Sequence, residues 1–367
     1  MDLSNVLREA LSGGYRPGSP AGIEFSQRLR PAAGMSVKPP SYDGELEIHK
    51  RQISDEIVEA LELDSVGSAA NRIEDTLLDL YRAGDYPLPV MKTTITPDGQ
   101  APIEITSLEA PHRSFDAWLR LSEDSSGAEF ETTAKGLDLT LATLRTLDPV
   151  LESSAHDLLF GAWDSHRKGP HGQLRIGRSI TTTLLGINPQ KQQPVAARLD
   201  PLNLGEASDL PKGSKRLSEL GLSSIPPQRT KQTVAIDYAL YQGYLSFPAL
   251  RRLGFERYDS TEVRVMLALL ALYGLLLRNE AGWDLRSGAA LIAEEPLVLK
   301  LARPGQPSEA FELSLDEAHE LFHQAVTKLQ IADRQISLNG GKALTDLVNK
   351  AITSAKAGDS AVSSAKA

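Results

Sequence analysis

The sequence predicts an α+β fold, because segments with strand patterns alternate with segments with helix patterns along one chain of 367 residues. The apolar run Val265–Leu277 is too short to cross a bilayer and predicts a buried helix, Ser260–Leu277. Strand propensity is clearest in Leu174–Leu185, which is rich in isoleucine and threonine, and in Thr233–Phe247. A chain of this length can bury a sizeable core in one large or two ordinary domains.

The N-terminal half combines short helices with turns. The Pro- and Gly-rich stretch up to residue 45 predicts an irregular or extended edge, and 46–83 is largely helical in pattern. The Pro97-Asp98-Gly99 turn predicts a hairpin over Thr93–Ile105. The predicted helices of this half are Leu3–Leu11, Ser65–Arg82, Ser114–Leu121 and Leu137–Leu147.

The C-terminal half adds a long segment of low apolar content. Residues 186–232 are rich in Pro, Gly, Gln, Ser and Lys, and a long loop inside a domain is usually functional. The tail 350–367 is rich in Ala, Ser, Lys and Gly and predicts disorder. The other predicted elements are a buried strand at Asp157–Trp163, a hairpin of Leu297–Leu301 with Ala310–Leu313, and a helix at Asp316–Leu329.

Composition narrows the class of protein. The chain has no cysteine, which excludes disulfides and thiolate metal sites and fits a reducing cytoplasm. No basic region followed by an apolar run stands at the N-terminus, so we expect a cytoplasmic, soluble protein without a secretory signal. A net charge of -9 argues against non-specific DNA binding.

The charges are nevertheless unevenly distributed. Ser165–Arg198 contains no acid, and the N-terminal stretch with Arg28, Arg30 and Lys38 contains only Glu24. Acids concentrate in Glu45–Glu62, Asp116–Glu131 and Glu294–Glu320. The pattern favours one basic face that could hold RNA, and random variation of surface charge is the alternative. The bases in the acid-free run are Arg167, Lys168, Arg175, Arg178, Lys191 and Arg198.

The segment Leu63–Glu74 predicts a phosphate-binding helix start. Asp64 or Ser65 can cap the helix, and the first unpaired amides with the helix dipole favour an anion. Ser68, Asn71 and Arg72 lie about one turn apart and can share a face. The alternative is an ordinary capped helix in which Arg72 is solvated.

Five separated blocks stand out, and they are Leu63–Glu74, Ala110–Arg113 followed by Asp116-Ala117, Leu158–Ser165, Gly221–Pro227 and Gly282–Ser287. In this order and at these separations they resemble one family, the backbone subunit of the type I-U (I-G) CRISPR surveillance complex, a Cascade-like assembly of the RAMP superfamily. The resemblance extends from about residue 25 to about residue 300. Members often carry Gln before the Ala-Asn-Arg triplet, where Ala69 and Ala70 stand here.

This resemblance implies an RRM-like (ferredoxin-like) palm, formed by 1–185 and 233–349, with helical finger insertions and a thumb at 186–232. It implies a non-catalytic subunit that polymerises along guide RNA (crRNA) and presents it to target DNA without reading its sequence. The expected partners are that RNA, the paired DNA strand, further copies of the chain, the large subunit and the guide-processing subunit, with no membrane. The expected RNA-binding residues are Arg28, Arg30, Lys38, Ser65, Ser68, Asn71, Arg72, His112, Arg113, Arg167, Arg175, Arg178 and Lys231.

Other functions have weaker support. His112, His156, His166 and His171 leave open a guide-RNA-processing endoribonuclease with histidine acid/base chemistry. His319-Glu320-Leu321-Phe322-His323 matches a zinc-hydrolase pattern, but a third ligand is lacking, so we expect no metal and no cofactor. The letters Asp316–His319 match a helicase box, yet no phosphate-binding loop accompanies them. Trp163 could stack on a base, although a predicted buried strand favours a place in the core.

Overall fold

A computed structural model describes residues 2–13, 17–32, 34, 36–40, 45–53, 55–124, 126–127, 139–167, 171–192, 195–198, 201, 225–229, 233–331 and 335–365. In that part of the chain the helices are α1 (Leu3–Leu11), α2 (Val66–Ala83), α3 (Ala117–Arg120), α4 (Asp148–Ser154), α5 (Asp157–Phe160), α6 (Phe247–Arg251), α7 (Ser260–Glu280), α8 (Leu315–Leu329) and α9 (Lys342–Ala365), with 3₁₀ turns at Arg113–Phe115 and Leu139–Leu141.

The strands of the same residues are β1 (Gly22–Pro31), β2 (Ser36–Val37), β3 (Ile48–Ile53), β4 (Glu56–Asp64), β5 (Val90–Ile95), β6 (Ile103–Thr106), β7 (Ala162–Asp164), β8 (Leu174–Ile176), β9 (Ile180–Ile187), β10 (Gln190–Gln192), β11 (Val195–Arg198), β12 (Ile225–Arg229), β13 (Thr233–Ala235), β14 (Ala239–Ser246), β15 (Trp283–Asp284), β16 (Ala290–Ala293), β17 (Val298–Ala302), β18 (Glu309–Phe311) and β19 (Gln335–Asn339).

The largest sheet is antiparallel and has the order β15-β16-β1-β14-β9-β4-β3. β17 continues the same side, since it pairs with β1 beyond β16, and β18 pairs with β17. Four of these strand positions are numbered one to four along the chain: β1, β9, β14 and the β16–β17 side. In the sheet they lie in the order 4-1-3-2. α2 lies between the first and second of these strands and α7 between the third and fourth, which is the ferredoxin-like arrangement. The predicted α+β class is confirmed.

Helices cover one face of this sheet. Ile23, Phe25 and Leu29 of β1 alternate toward the helices and are at most 2% exposed. α7 is apolar and long enough to cross a membrane by length and composition, but 72% of its apolar window is buried in the fold, where it packs on α1, α2 and α8. α2 and α7 approach most closely at Gly274, where an added Cβ would lie 2.9 Å from an Ile73 methyl carbon. The predicted core helix is therefore confirmed.

The opposite face of the sheet is open and largely polar. Alternate residues of β1, β9, β14 and β17 line a shallow cavity of about 580 Å³ there. Its polar lining includes Ser26, Thr181, Thr183, Gln242 and Lys300. Beside it, Ala60, Leu185 and Ile187 form a small apolar cluster separate from the main core. One sheet thus separates an apolar, helix-covered side from an accessible polar side.

Two long insertions interrupt the ferredoxin-like order. The first, between α2 and β9, contains the β5–β6 hairpin, on which β19 lies parallel, then α3 to α5 and the two-stranded ribbon β7–β8. The second, between β9 and β14, contains β10, β13 and the paired strands β11 and β12. Residues 202–224, about half of the predicted thumb, lie outside the described part of the chain.

Several local predictions differ from the structure. The sequence predicts a largely helical 46–83, whereas β3 and β4 precede α2 there, and it predicts an irregular or extended edge up to residue 45, whereas β1 has partners on both sides inside the sheet. Asp157–Phe160 is helical and ends at Gly161 (φ 87°), so only Ala162–Asp164 of the predicted strand is extended, because a short apolar run has no decisive periodicity. In the predicted helix Leu137–Leu147, a 3₁₀ turn covers 139–141 and the Thr143 and Thr146 hydroxyls hold a tight turn. α9 continues to Ala365, into the tail for which the sequence predicts disorder.

Candidate nucleic-acid interface

The start of α2 has the geometry that the sequence predicts. Ser65 is extended (φ -74°, ψ 164°), and its hydroxyl accepts the Ser68 amide at 3.3 Å. The first turn contains no acid, and Gly67 leaves the backbone accessible. Since the first amides of a helix have no intrahelical partner and lie at its positive end, this terminus can bind an anion.

Arg178 lies beside this helix start. A Cβ added to Gly67 would lie 3.8 Å from a guanidinium nitrogen of Arg178, so the two residues are neighbours. The Arg178 Nε donates to the Phe160 carbonyl at 3.2 Å, which orients an otherwise exposed side chain. A guanidinium is thereby added to the positive helix end, and both favour the same phosphate.

Gly161 permits this arrangement. Its φ of 87° is unfavourable for other residues, and a Cβ there would lie 3.0 Å from the Ile176 carbonyl oxygen and 3.1 Å from Arg178 Cγ. β7 and β8 therefore approach α5 closely only because residue 161 has no side chain. The position of Arg178 depends on this glycine.

Arg72 stabilises the helix start from inside. Its Nε donates to the Asp64 carboxylate at 2.7 Å, and its second nitrogen donates to the Leu285 carbonyl at 3.1 Å. Arg286 donates to the Leu63 carbonyl at 2.9 Å and lies 4.0 Å from the same Asp64 carboxylate. Asp64 is 2% exposed. The sequence predicts a phosphate-binding or solvated Arg72, whereas its guanidinium is held by partners within the fold.

Arg113 does not lie at the surface. It is 7% exposed, forms a two-pronged ion pair with Glu74 at 2.6 and 2.5 Å, and donates to the Gly161 carbonyl at 3.0 Å. Burial raises the pKa of the Glu74 carboxyl to about 7, and the nearby guanidinium opposes that shift. The predicted RNA contact at Arg113 is therefore replaced by an internal one that links α2 to the first insertion.

A second buried group completes this polar interior. Asp157 accepts from the hydroxyls of Ser114 and Ser154, and burial raises the pKa of its carboxyl to about 6. His156 is fully buried, and burial lowers the pKa of its imidazole to about 3. A histidine with no access to solvent cannot exchange protons with a substrate. His156 is thus excluded from the histidine pair considered for RNA cleavage.

Arg167 and Lys231 also leave the candidate surface. Arg167 is 9% exposed and donates to the carbonyls of Gly172 and Ala142, both at 2.7 Å, which fixes the loop after β7. The sequence predicts an RNA contact there because burial of a basic residue in an acid-free run has no local signal. Lys231 lies outside the described residues.

Seven predicted residues remain accessible. Arg28 pairs with Glu294 at 3.1 Å and lies over the Tyr238 ring at 4.1 Å, so its charge is partly compensated. Lys38 is next to the α2 start, because the Arg286 guanidinium bridges from Leu63 to the Lys38 carbonyl at 3.3 Å. The exposed residues of the predicted set are Arg28, Arg30, Lys38, Asn71, His112, Arg175 and Arg178.

Two residues at this surface were not predicted. Arg286 was not singled out, although it belongs to one of the five blocks. Trp163 was expected in the core but is 55% exposed, on β7 opposite Arg175 of β8. The alternation Ala162-Trp163-Asp164 within a short strand was the available signal, since two buried neighbours direct the middle residue outward.

The zinc-hydrolase pattern lies on α8. The rings of His319 and His323 are 4.1 Å apart and line a surface groove with Asp316 and Glu320. Over the residues that the structure describes, no group of three or more His, Cys, Asp or Glu side chains is arranged to hold a metal. Ala318 and Phe322 are fully buried, which accounts for the helix's apolar side.

The blocks that carried the resemblance converge on α2. Arg72 of the first block contacts Leu285 of the last, Arg113 of the second contacts Glu74 on α2, and Gly161 of the third accepts a hydrogen bond from Arg113. Gly221–Ser224 of the remaining block lie outside the described residues. Four blocks, of which the first and the last lie more than 200 residues apart, thus build one region of the fold.

Comparison with known proteins supports the same assignment. Residues 23–190 match the model of a family described as "CRISPR-associated protein GSU0053", a match that extends from β1 to β10. Among curated proteins, none matches this chain. Residues 23–190, a little under half of the chain, are therefore similar to that CRISPR-associated family.

Proposed function

We propose that this protein is the non-catalytic backbone subunit of a type I-U (I-G) CRISPR surveillance complex, and that several copies bind along one guide RNA. The observation that carries this proposal is the pair formed by the α2 start and Arg178, and the Arg286 guanidinium links the Lys38 carbonyl to Leu63 close to the same helix end. Amides and guanidinium groups recognise phosphate oxygens, which every nucleotide presents, so binding would not depend on sequence.

Charge distribution supports an extended contact. Arg175, Arg178, Lys191 and Arg198 are exposed, and all belong to the acid-free run. A chain with a net charge of -9 would be repelled by RNA elsewhere, so a localised basic surface selects the orientation in which RNA binds. In this proposal the insertion between β9 and β14 supplies the thumb that contacts the next copy.

Co-purification tests the proposal. The protein would be co-expressed with each of two guides of unrelated sequence, and separately without a guide. We expect size exclusion to show a larger, RNA-containing species of similar abundance with either guide, and the RNA to stay uncut. RNA that the purified protein cleaves would instead support the endoribonuclease, and a species that forms with one guide only would contradict binding through phosphates.

A further inference from the structure

Trp163 has an unusual environment for a tryptophan. Its ring is 55% exposed, whereas Ala162 and Asp164 on either side are 8% and 4% exposed. Asp164 faces inward and pairs with Arg120. The ring therefore remains outside because the ribbon β7–β8 is anchored through its other face. An exposed indole ring offers a flat apolar face with a polar N–H at its edge, which suits contact with a planar ligand.

Polar groups on the neighbouring strand flank the ring. Arg175 is the register partner of Trp163, and its guanidinium carbon lies 5.8 Å from the centre of the ring. The indole Nε1 donates to the Gln173 side chain at 3.4 Å. Ala162 opposite Ile176 and Asp164 opposite Leu174 fix the ribbon on its buried side. The ring is consequently held in one orientation before any ligand arrives.

The ribbon leads directly to the phosphate-binding region. Arg178 follows β8 by two residues and lies beside Gly67 at the start of α2. Among the residues that the structure describes, none forms an ion pair with Arg175, and Asp164, the acid of the ribbon, is turned inward. An exposed π-surface edged by a free guanidinium, next to an anion site, fits a flat, electron-rich group joined to a phosphate.

We propose that Trp163 and Arg175 form a stacking platform for one base of single-stranded RNA whose neighbouring phosphate lies at Arg178 and the α2 start. This inference rests on the proposed function and adds to it a contact with the face of a base. Stacking does not read sequence, because all four bases present a π-face, so the platform is compatible with a guide of any sequence. Stacking also adds to the binding free energy a contribution that salt does not screen.

Binding of a uridine oligoribonucleotide would test the platform. We expect RNA to quench tryptophan fluorescence in the wild type, since Trp283 is 6% exposed and Trp118 is half-buried. Trp163→Ala should weaken binding about tenfold, and Trp163→Phe should retain most of the affinity but lose the quenching. Ile57→Ala, which truncates a side chain that is 76% exposed on β4, is the matched control and should bind like the wild type.

An oligonucleotide of the same length with abasic sites separates stacking from phosphate contact. We expect the wild type to bind it about as weakly as Trp163→Ala binds the intact RNA. If the wild type binds no RNA, the proposed function fails and the platform fails with it. If RNA binds the wild type without quenching its fluorescence and binds Trp163→Ala equally well, only the platform is overturned. Loss of self-assembly with unchanged RNA affinity would assign the ring to a protein contact and also overturn it.

Discussion

The arginines of the two faces of the first insertion have opposite roles. Arg113 and Arg167 face inward and are satisfied by a carboxylate or by carbonyls. Arg175 and Arg178 face outward from the ribbon that the inner residues support. Arg113 belongs to one of the five blocks, and the other three arginines belong to the acid-free run. A basic pattern therefore identifies the region of the interface but not which of its cations can reach a ligand.

The largest difference between the two faces should appear in stability. Arg113→Ala leaves the Glu74 carboxylate buried without its partner, and we expect a loss of about 3–5 kcal/mol in the free energy of unfolding. Arg175→Ala on the outer face should change that free energy by less than about 0.5 kcal/mol. Urea denaturation of both variants measures the contrast. Equal losses would show that the Arg113–Glu74 ion pair stabilises the fold no more than Arg175 does.

Acid should affect the inner face more than the outer face. Burial lowers the pKa of His156 to about 3 from an ordinary 6.5, so the unfolded chain takes up a proton that the folded chain excludes. That exclusion costs stability as the pH falls from 6.5, by about 2 kcal/mol at pH 5. Burial raises the pKa of the Glu74 and Asp157 carboxyls, so their contribution to stability changes with pH in the opposite direction over the same range. The pH dependence of the wild type alone therefore does not measure the histidine.

His156→Gln isolates the histidine. We expect the difference in unfolding free energy between wild type and variant to shift by about 2 kcal/mol in favour of the variant between pH 7 and pH 5. A constant difference for His156→Gln would mean that the buried imidazole is protonated in the folded protein.

The outer face should differ in its salt dependence. Each phosphate contact with a single strand contributes about -0.7 to the slope of log affinity against log salt. Arg175→Glu with Arg178→Glu should flatten that slope by about one to two and leave the fold intact. A matched reversal of Arg252 and Lys342, exposed at other places, should leave the slope unchanged. The measurement is a salt titration of RNA binding. An unchanged slope in the Arg175/Arg178 double variant would show that the acid-free run is an ordinary solvated surface.

The smallest effect separates two neighbours on α2. Asn71 is exposed, whereas Arg72 holds Asp64 and the Leu285 carbonyl. We expect Asn71→Ala to lower RNA affinity about twofold for two unrelated guides, with stability changed by less than about 0.5 kcal/mol. Arg72→Ala should lose about 1–3 kcal/mol of stability as well as affinity. If Arg72→Ala keeps its stability, the phosphate contact predicted from the sequence would be the better interpretation.

Long elements with clear boundary signals were predictable. α2 begins after its Ser65 cap and α7 is a long apolar helix, and both were predicted within a few residues. The hairpin of β17 and β18 was also predicted. The ferredoxin-like order came from the family resemblance, because strands such as β1 and β14 are paired by contacts far apart in sequence.

The side-chain environments were not predictable from local pattern. Arg72, Arg113 and Arg167 are held by hydrogen bonds to residues elsewhere in the chain, up to 213 positions away for Leu285 and Arg72. Trp163 was assigned to the core from its apolar neighbours, because a strand of three residues is too short to show which side faces solvent. In both cases tertiary contacts decide the outcome.

The central position of β1 has a consequence for synthesis of the protein. Its partners are β14, β16 and β17, the last ending at Ala302, so the strand has no partner until most of the chain has been made. At about 5–20 residues per second, translation from the end of β1 to the end of β14, the first of these partners to be made, takes roughly 10–45 seconds. During that time Ile23, Phe25 and Leu29 are exposed on an unpaired strand, which can associate with other nascent chains. The helix α2, in contrast, can begin to form as soon as its own segment has left the ribosome, because its backbone hydrogen bonds join residues four apart.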